Sequence, residues 1–179
     1  MRMFYRLRLK QVQPKVFGRV LDVGCGRKAV NGAFGVELPR GGRPSVFTQG
    51  FQNLPFMSDS FNTVILMATL NYIPDKDRVV CLKEVHRVTR KYGRLVITCT
   101  TKLGGGLHRL LRPLQPSGIS QKGMKDLVKS CGYSLVYSKP FMFGLNRVYV
   151  FGREEVRTDS LIEIQKIIKE EIHRENNSH

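Results

Sequence analysis

The segment VLDVGCGRKAVNGAFGVELPRGG, residues 20 to 42, combines a glycine turn with an acidic residue shortly after it. Its apolar run is followed by Gly24 and Gly26, and glycine at such a turn lets the backbone approach a bound ligand closely. In open α/β sheets the turn after the first strand commonly contacts a nucleotide or nucleoside. The pattern therefore predicts a nucleotide-cofactor site, and the position of Glu37 bears on which cofactor is bound.

The spacing within this segment argues against a dinucleotide. Gly24, Gly26 and Ala29 satisfy the loose pattern G-x-G-x-x-G/A. A dinucleotide site also needs a full helix after the turn for the pyrophosphate, and an acid about 20 residues onward for the ribose. Glu37 follows Gly24 by only 37 − 24 = 13 positions, and the interval holds at most about two helical turns. The interval disfavours NAD and favours a nucleoside without phosphates, such as S-adenosylmethionine.

The elements that must position this turn alternate between apolar strands and amphipathic helices. Strands that alternate with helices indicate an α/β domain with a mainly parallel sheet. We therefore predict a Rossmann-like α/β fold with a mainly parallel sheet, an antiparallel edge strand and helices on both faces. The predicted strands span 19–24, 32–38, 45–49, 61–70, 94–100, 134–140 and 147–153; the predicted helices span 75–93, capped by Asp75, and 120–133, capped by Ser120.

The chain length of 179 residues allows one ordinary domain with appendages. We predict a basic N-terminal arm over 1–15, a central domain over 16–153 and a C-terminal amphipathic helix over 154–179. Apolar residues recur in this last segment at spacings of 3, 4 and 4, which favours packing against the domain or, in a homo-oligomer, against a partner. These residues are Leu161, Ile164, Ile168 and Ile172.

The net charge of +16 is unevenly distributed along the chain. Residues 154–179 hold seven acids and four Lys or Arg, a balance of −3, so residues 1–153 carry 16 + 3 = +19. A field of that sign attracts polyanions, either nucleic acid or an anionic membrane surface. A solvated basic surface with no specific partner is the alternative.

Other features of the sequence bear on the cellular location of the protein and on metal and disulfide sites. The longest apolar stretch, TVILMATL at 63–70, is far shorter than the roughly 20 residues of a membrane-spanning helix. The N-terminus lacks the continuous apolar region of a secretory signal. No C-x-x-C pair occurs, which disfavours a zinc site and a disulfide framework. We expect a reducing, cytoplasmic location and no metal; the widely separated cysteines are Cys25, Cys81, Cys99 and Cys131.

An ordered series of segments resembles the class I S-adenosylmethionine-dependent methyltransferases, in particular the type 11 group. The resemblance covers about residues 16–153 and implies the class I methyltransferase fold and S-adenosylmethionine as cofactor. The segments that carry it are VLDVGCG, GVEL, LPFMSDSFNTVIL, NYIPD, LKEVHRVTRKYGRLVI and CGYSLV.

The resemblance also implies which residues contact the cofactor. Asp22, Gly24, Cys25 and Gly26 would form the first loop, with Asp22 organising the methionyl ammonium directly or through water. Glu37 would bind both ribose hydroxyls.

Further along the chain, Leu38 and Phe51 would bracket the adenine, and Met67 would lie beneath the methionyl group. Three positions depart from the family pattern. Lys28 replaces the third glycine, Gly50 or Asn53 stands where an acid precedes the adenine loop, and Asn62 replaces the aspartate after Phe61.

The implied reaction is in-line displacement at a sulfonium methyl group, which requires alignment and a dry site more than a catalytic base. Asn71, Tyr72 and His108 lie near the expected mouth, but none has an orienting partner visible in the sequence, so catalytic residues stay unassigned.

The basic charge favours RNA or a ribonucleoprotein as methyl acceptor. The alternatives are a small or lipid-like, quinone-type acceptor, with the apolar residues of the arm at a membrane surface, and a non-catalytic binding module with this fold.

Overall fold

A computed structural model describes residues 2–39, 44–104 and 118–153 of the chain. The predicted C-terminal helix over 154–179 and the candidate residue His108 lie outside these described residues.

The centre of the fold is one seven-stranded sheet in the order β3-β2-β1-β4-β5-β7-β6. Strands β1 to β5 are parallel, and β7 is antiparallel to both β5 and β6. The predicted mainly parallel α/β fold is confirmed, with the reversed strand β7 inserted between β5 and the edge strand β6. The strands are β1 (Val20–Val23), β2 (Ala33–Glu37), β3 (Val46–Phe47), β4 (Phe61–Met67), β5 (Thr89–Thr100), β6 (Tyr133–Phe141) and β7 (Asn146–Arg153).

Helices cover both faces of the sheet. On one face, α2 (Asp75–Val88) and α3 (Gln121–Lys129) bury apolar side chains, including Leu82 and Met124, in the larger core cluster. On the other face, α1 (Arg2–Val12) packs through Leu9 and Val12 against a smaller cluster of valines and Ile65. The central strands are therefore buried on both sides, as their continuous apolar sequences predict.

The basic arm is a helix packed on the sheet. Just past the middle of α1, Arg8 Nη2 donates a hydrogen bond to Asn146 Oδ1 at 3.1 Å, where β7 begins. After the helix, the carbonyl oxygen of Lys15 accepts one from Arg94 Nη1 at 3.1 Å, where β7 ends beside β5. The helix therefore crosses the sheet from the carboxyl edge of the parallel strands to their amino edge. No helix within the described ranges is long and apolar enough to cross a membrane.

The ends of several predicted elements are corrected by the structure; β5 starts at Thr89 rather than residue 94, and α3 ends at Lys129 rather than residue 133. Helix α2 ends at Val88 rather than residue 93, because Thr89 is extended, with ψ 129°, and its hydroxyl donates to the carbonyl of Val85 at 2.6 Å. Strand β4 ends at Met67 rather than residue 70, because Ala68 turns the chain with a φ of 65°.

The two predicted helix caps have different outcomes. The cap at Ser120 is confirmed, since its hydroxyl oxygen accepts a hydrogen bond from the Gly123 amide at 3.0 Å. The predicted cap at Asp75 is wrong, because Pro74 occupies the N-cap position. Asp75 instead pairs with Arg78 at 2.6 Å, one turn into the helix.

Candidate cofactor site

A cleft of about 630 Å³ opens at the carboxyl ends of β1, β2 and β4. Its volume falls within the range of small-molecule sites. Among the predicted contacts, Gly24, Gly26, Glu37, Leu38 and Phe51 line it, whereas Asp22, Cys25 and Met67 do not. The other lining residues are Gln49, Gly50, Gln52, Thr69, Tyr72, Ile73, Pro74, Asp77 and Cys81.

The glycine turn after β1 forms one border of the cleft. Gly24 and Gly26 have φ values of 73° and 62°, a region that side-chain-bearing residues rarely adopt. A Cβ atom at Gly24 would lie 2.4 Å from Thr69 Cγ2, whereas a Cβ at Gly26 would meet no protein atom within 4 Å. Glycine is thus required by packing and φ at residue 24, and by φ at residue 26. Residues 24–32 contain turns and no helix, so this connection offers no helix N-terminus to a pyrophosphate.

Glu37 ends β2 with its carboxylate fixed by two backbone amides. Oε2 accepts a hydrogen bond from the Gly26 amide at 2.7 Å, and Oε1 accepts one from the Leu38 amide at 2.8 Å. Each carboxylate oxygen keeps a further acceptor position. A half-buried, immobilised carboxylate with two free acceptor positions fits a pair of vicinal ribose hydroxyls.

Asp22 lies beneath the same turn and is fully buried. Its Oδ2 accepts a hydrogen bond from the Val30 amide at 2.9 Å, while Oδ1 has no partner among the described residues. Burial raises the pKa of this carboxyl to about 7, opposed by the Val30 hydrogen bond and assisted by the charge of Glu37. An unpaired buried carboxylate oxygen is chemically suited to a cationic ligand group, such as an ammonium.

Cys25 and Met67 are the two other predicted contacts that do not line the cleft, and both pack against other parts of the protein instead. Cys25 is buried beside Gly35, and burial raises the pKa of its thiol to about 12, so the thiol stays protonated at neutral pH. Met67 is half-buried against the smaller core cluster, on the face of the sheet that α1 covers.

The apolar walls of the cleft come from Leu38 and Phe51 on one side and from the start of α2 on the other. Phe51 is 9% exposed and belongs to the larger core cluster, against which Leu38 packs. Sequence reasoning missed the contributions of Ile73, Asp77 and Cys81. Their position in the sequence could have indicated them, because α2 starts eight residues after the end of β4 (75 − 67 = 8) and therefore at the same edge of the sheet as the glycine turn.

The turn Thr69–Asn71 joins the cleft to the end of β5. Thr69 Oγ1 donates to the Val23 carbonyl at 2.7 Å, which fixes the turn against β1. Asn71 is buried, and its Oδ1 accepts from the Thr100 amide at 3.1 Å. Tyr72 lines the cleft and is 68% exposed.

The three departures from the family pattern have different surroundings. Asn62 lies at the amino end of β4, away from the cleft, where its Oδ1 accepts from the Arg19 amide at 3.0 Å. Lys28 is an exposed residue of the loop after β1. Gly50 lines the cleft directly. Only the departure at Gly50 therefore alters the lining of the cleft.

Comparison with known proteins agrees with this geometry. Residues 37–97 match the family model of the methyltransferase domain. No curated protein matches the chain in sequence.

Many solved structures share the fold. A methyltransferase of Thermotoga maritima, described as a possible histamine N-methyltransferase, is 18% identical, with a TM-score of 0.69 over 83% of this chain and 89% of that one. The PH0226 protein of Pyrococcus horikoshii is 16% identical, with a TM-score of 0.66 over 83% and 91%. A putative methyltransferase of Haloferax volcanii, in complex with the activator Trm112, is 14% identical, with a TM-score of 0.64 over 84% and 90%.

The sheet order, the cleft at its carboxyl edge and the match over residues 37–97 agree with one another. Residues 37–97 carry the methyltransferase-domain pattern, within a fold shared with solved S-adenosylmethionine-dependent methyltransferases.

Proposed function

We propose that this enzyme methylates RNA, either free or within a ribonucleoprotein. The observation that supports RNA is the set of exposed cations on segments that leave the carboxyl edge of the sheet. Arg27 and Lys28 follow β1, Lys102 follows β5, and Lys76 lies in the first turn of α2. The exposed acid nearest to Lys76 in sequence, Asp75, is already paired with Arg78. A basic rim beside an open cleft favours a polyanionic acceptor.

S-adenosylmethionine, when bound, would supply a sulfonium methyl group that an acceptor nucleophile attacks in line, with the methyl–sulfur bond breaking and S-adenosylhomocysteine leaving. Glu37 would hold the ribose through its two immobilised oxygens, and Leu38 and Phe51 would contact the adenine. Asp22, once ionised, would supply negative charge beneath the methionyl ammonium. These residues bind and orient the cofactor, which is the main catalytic requirement when the leaving group is already activated.

Neither Asn71 nor Tyr72 is positioned as a general base, and the carboxylate that lines the cleft beside them is Asp77. The Oδ1 of Asn71 is already used by the Thr100 amide. Tyr72 is largely exposed to solvent. We infer that the enzyme accelerates transfer mainly by aligning the acceptor with the methyl group, and that the acceptor proton leaves to solvent through the open cleft.

The test of the acceptor class is transfer of a labelled methyl group from S-adenosylmethionine to fractionated cell extract. We expect label in the RNA fraction, its loss after ribonuclease treatment, and much less transfer by the Glu37→Ala variant at limiting cofactor. Label that resists ribonuclease and stays with free protein or organic-soluble material would contradict the RNA proposal while leaving methyl transfer intact.

A lipid-like acceptor is the second candidate, because the outer surface of α1 carries apolar side chains beside cations. Met3, Phe4 and Leu7 are 63%, 42% and 36% exposed, and Arg6 and Lys10 are exposed on the same helix. Such a helix suits an anionic membrane surface. Label recovered in the organic phase of the same experiment would favour this candidate.

A further inference from the structure

Gln52 is an exposed cleft residue whose side-chain amide lies over the backbone of Gly50. Both residues line the cofactor cleft, on either side of Phe51 in the sequence. A Cβ atom at residue 50 would overlap Gln52 Oε1 and would lie 2.7 Å from Cδ and 2.8 Å from Nε2. The whole amide group therefore occupies the space that a side chain at residue 50 would need.

This placement of the amide explains glycine at residue 50 better than the backbone does. Gly50 is not one of the described glycines with a positive φ, so its backbone conformation is open to other residues. The atoms that a Cβ would meet belong to the far end of the Gln52 side chain. Gly50 and Gln52 thus act as a pair that places a primary amide in the cleft.

A hydrogen-bonded turn holds this pair at a fixed position relative to Glu37. The Thr48 amide donates to the Glu37 carbonyl at 2.9 Å, which joins the turn to the end of β2. The Thr48 hydroxyl donates to the Gly50 carbonyl at 2.9 Å and lies 3.2 Å from the Asn53 carbonyl. The turn that carries Gln52 is therefore attached to the residue that would hold the ribose.

The base of a nucleoside lies one glycosidic bond beyond its ribose, on the side of the cleft where Leu38 and Phe51 form the apolar wall. The polar edge of adenine presents an amino donor beside a ring-nitrogen acceptor. A primary amide presents an acceptor beside a donor and so complements this pair. We propose that the Gln52 amide recognises the base of the cofactor, accepting from the N6 amino group of adenine and donating to N1.

An amide in this position can match more than one base. Hypoxanthine presents the O6 acceptor beside the N1–H donor, the reverse of adenine. The terminal torsion of glutamine is broad and roughly two-fold, so the amide can turn to offer Nε2 to O6 and Oε1 to N1–H. Gln52 therefore makes the cleft tolerant of either base. This inference rests on the cofactor of the proposed function and is independent of RNA as the acceptor.

Calorimetric titration of the full-length protein with S-adenosylhomocysteine and with S-inosylhomocysteine tests the proposal. The two ligands differ only in the base, and neither has a methyl group to transfer, so no acceptor is needed. We expect dissociation constants within about threefold of each other in the wild type. An inosyl ligand that binds about tenfold more weakly or worse would contradict recognition by an amide that turns. Binding of neither ligand at millimolar concentration would overturn the cofactor site and this proposal together, whereas a methyl acceptor other than RNA would leave both intact.

The Gln52→Ala variant removes the amide and should weaken binding of both ligands. We expect a loss of about five- to tenfold for each, the scale of one to two hydrogen bonds. The matched control is Asn53→Ala, because Asn53 carries the same amide group one residue further on, is exposed and does not line the cleft. Its effect should be less than about twofold. Equal effects of the two variants would contradict the role of Gln52.

The Gly50→Ala variant tests whether the amide acts from the position over Gly50. The added Cβ would displace the amide, so affinity for both ligands should fall in the wild-type background. In the Gln52→Ala background the amide is already absent, and the same change should have little further effect. Losses of similar size in both backgrounds would mean that residue 50 itself contacts the ligand, and would overturn the proposal. Backbone amide spectra that match the wild type establish that each variant is folded.

Discussion

The carboxylates of Asp22 and Glu37 lie at the ends of neighbouring strands but have different surroundings. Asp22 alternates along β1 with Leu21 and Val23, so its side chain lies on the opposite face and is fully buried. Glu37 is half-buried at the cleft with both oxygens held by amides. The first carboxylate therefore pays a desolvation cost when it ionises, whereas the second is already arranged as an acceptor.

The raised pKa of Asp22, about 7 against an ordinary 3.8, predicts a pH-dependent stability. The native state keeps a proton that the unfolded chain releases, so this contribution is fully present below about pH 4 and is lost as pH rises through 7. The groups that act electrostatically with Asp22 are Glu37, Cys25 and Tyr5.

We expect the Asp22→Asn variant to gain stability relative to the wild type as the pH rises. The difference in unfolding free energy between the two should move by about 2–3 kcal/mol between pH 5 and pH 8. Urea denaturation of both proteins without cofactor measures it. A difference that does not change with pH would show that Asp22 is ionised throughout this range.

At the level of elements, α1 differs most from its prediction. Its basic composition predicted an arm available for partners, and it does expose Arg6 and Lys10. The same eleven-residue helix also buries Val12 completely and packs Leu9 against the sheet. Sequence alone could not predict this docking, because the apolar residues of α1 occur on both its buried and its exposed sides.

Docking of α1 predicts a contrast between two alanine variants. Val12→Ala should lower the unfolding free energy by about 2 kcal/mol, through lost burial and a residual cavity. Leu7→Ala, at a position that is 36% exposed, should lower it by less than about 0.5 kcal/mol. Chemical denaturation of the two variants checks this. Equal small losses would mean that α1 is not packed on the sheet in solution.

At the scale of the whole molecule, the sheet could be predicted because its signals are local. Short apolar strands punctuated by glycine, and the amphipathic pattern of α2, specify parallel β–α units wherever they occur. The exact ends of α2 and β4 could not be predicted, because they depend on the Thr89 hydroxyl and on the left-handed backbone of Ala68. The cleft residues that could be predicted are those in a motif identified by its spacing or by the family resemblance. Cys81 was missed because it lies among the apolar residues of α2, at a spacing that is typical of ordinary core packing.

The central claim is that the cleft binds a nucleoside cofactor through the carboxylate of Glu37. Calorimetric titration of the full-length protein with S-adenosylmethionine tests it most directly, with Glu37→Ala as the variant and the amide spectrum as the control for folding. We predict one binding site per chain in the wild type and an affinity at least about tenfold lower in the variant. No uptake by the wild type at millimolar cofactor, or an unchanged affinity in Glu37→Ala, would contradict the claim.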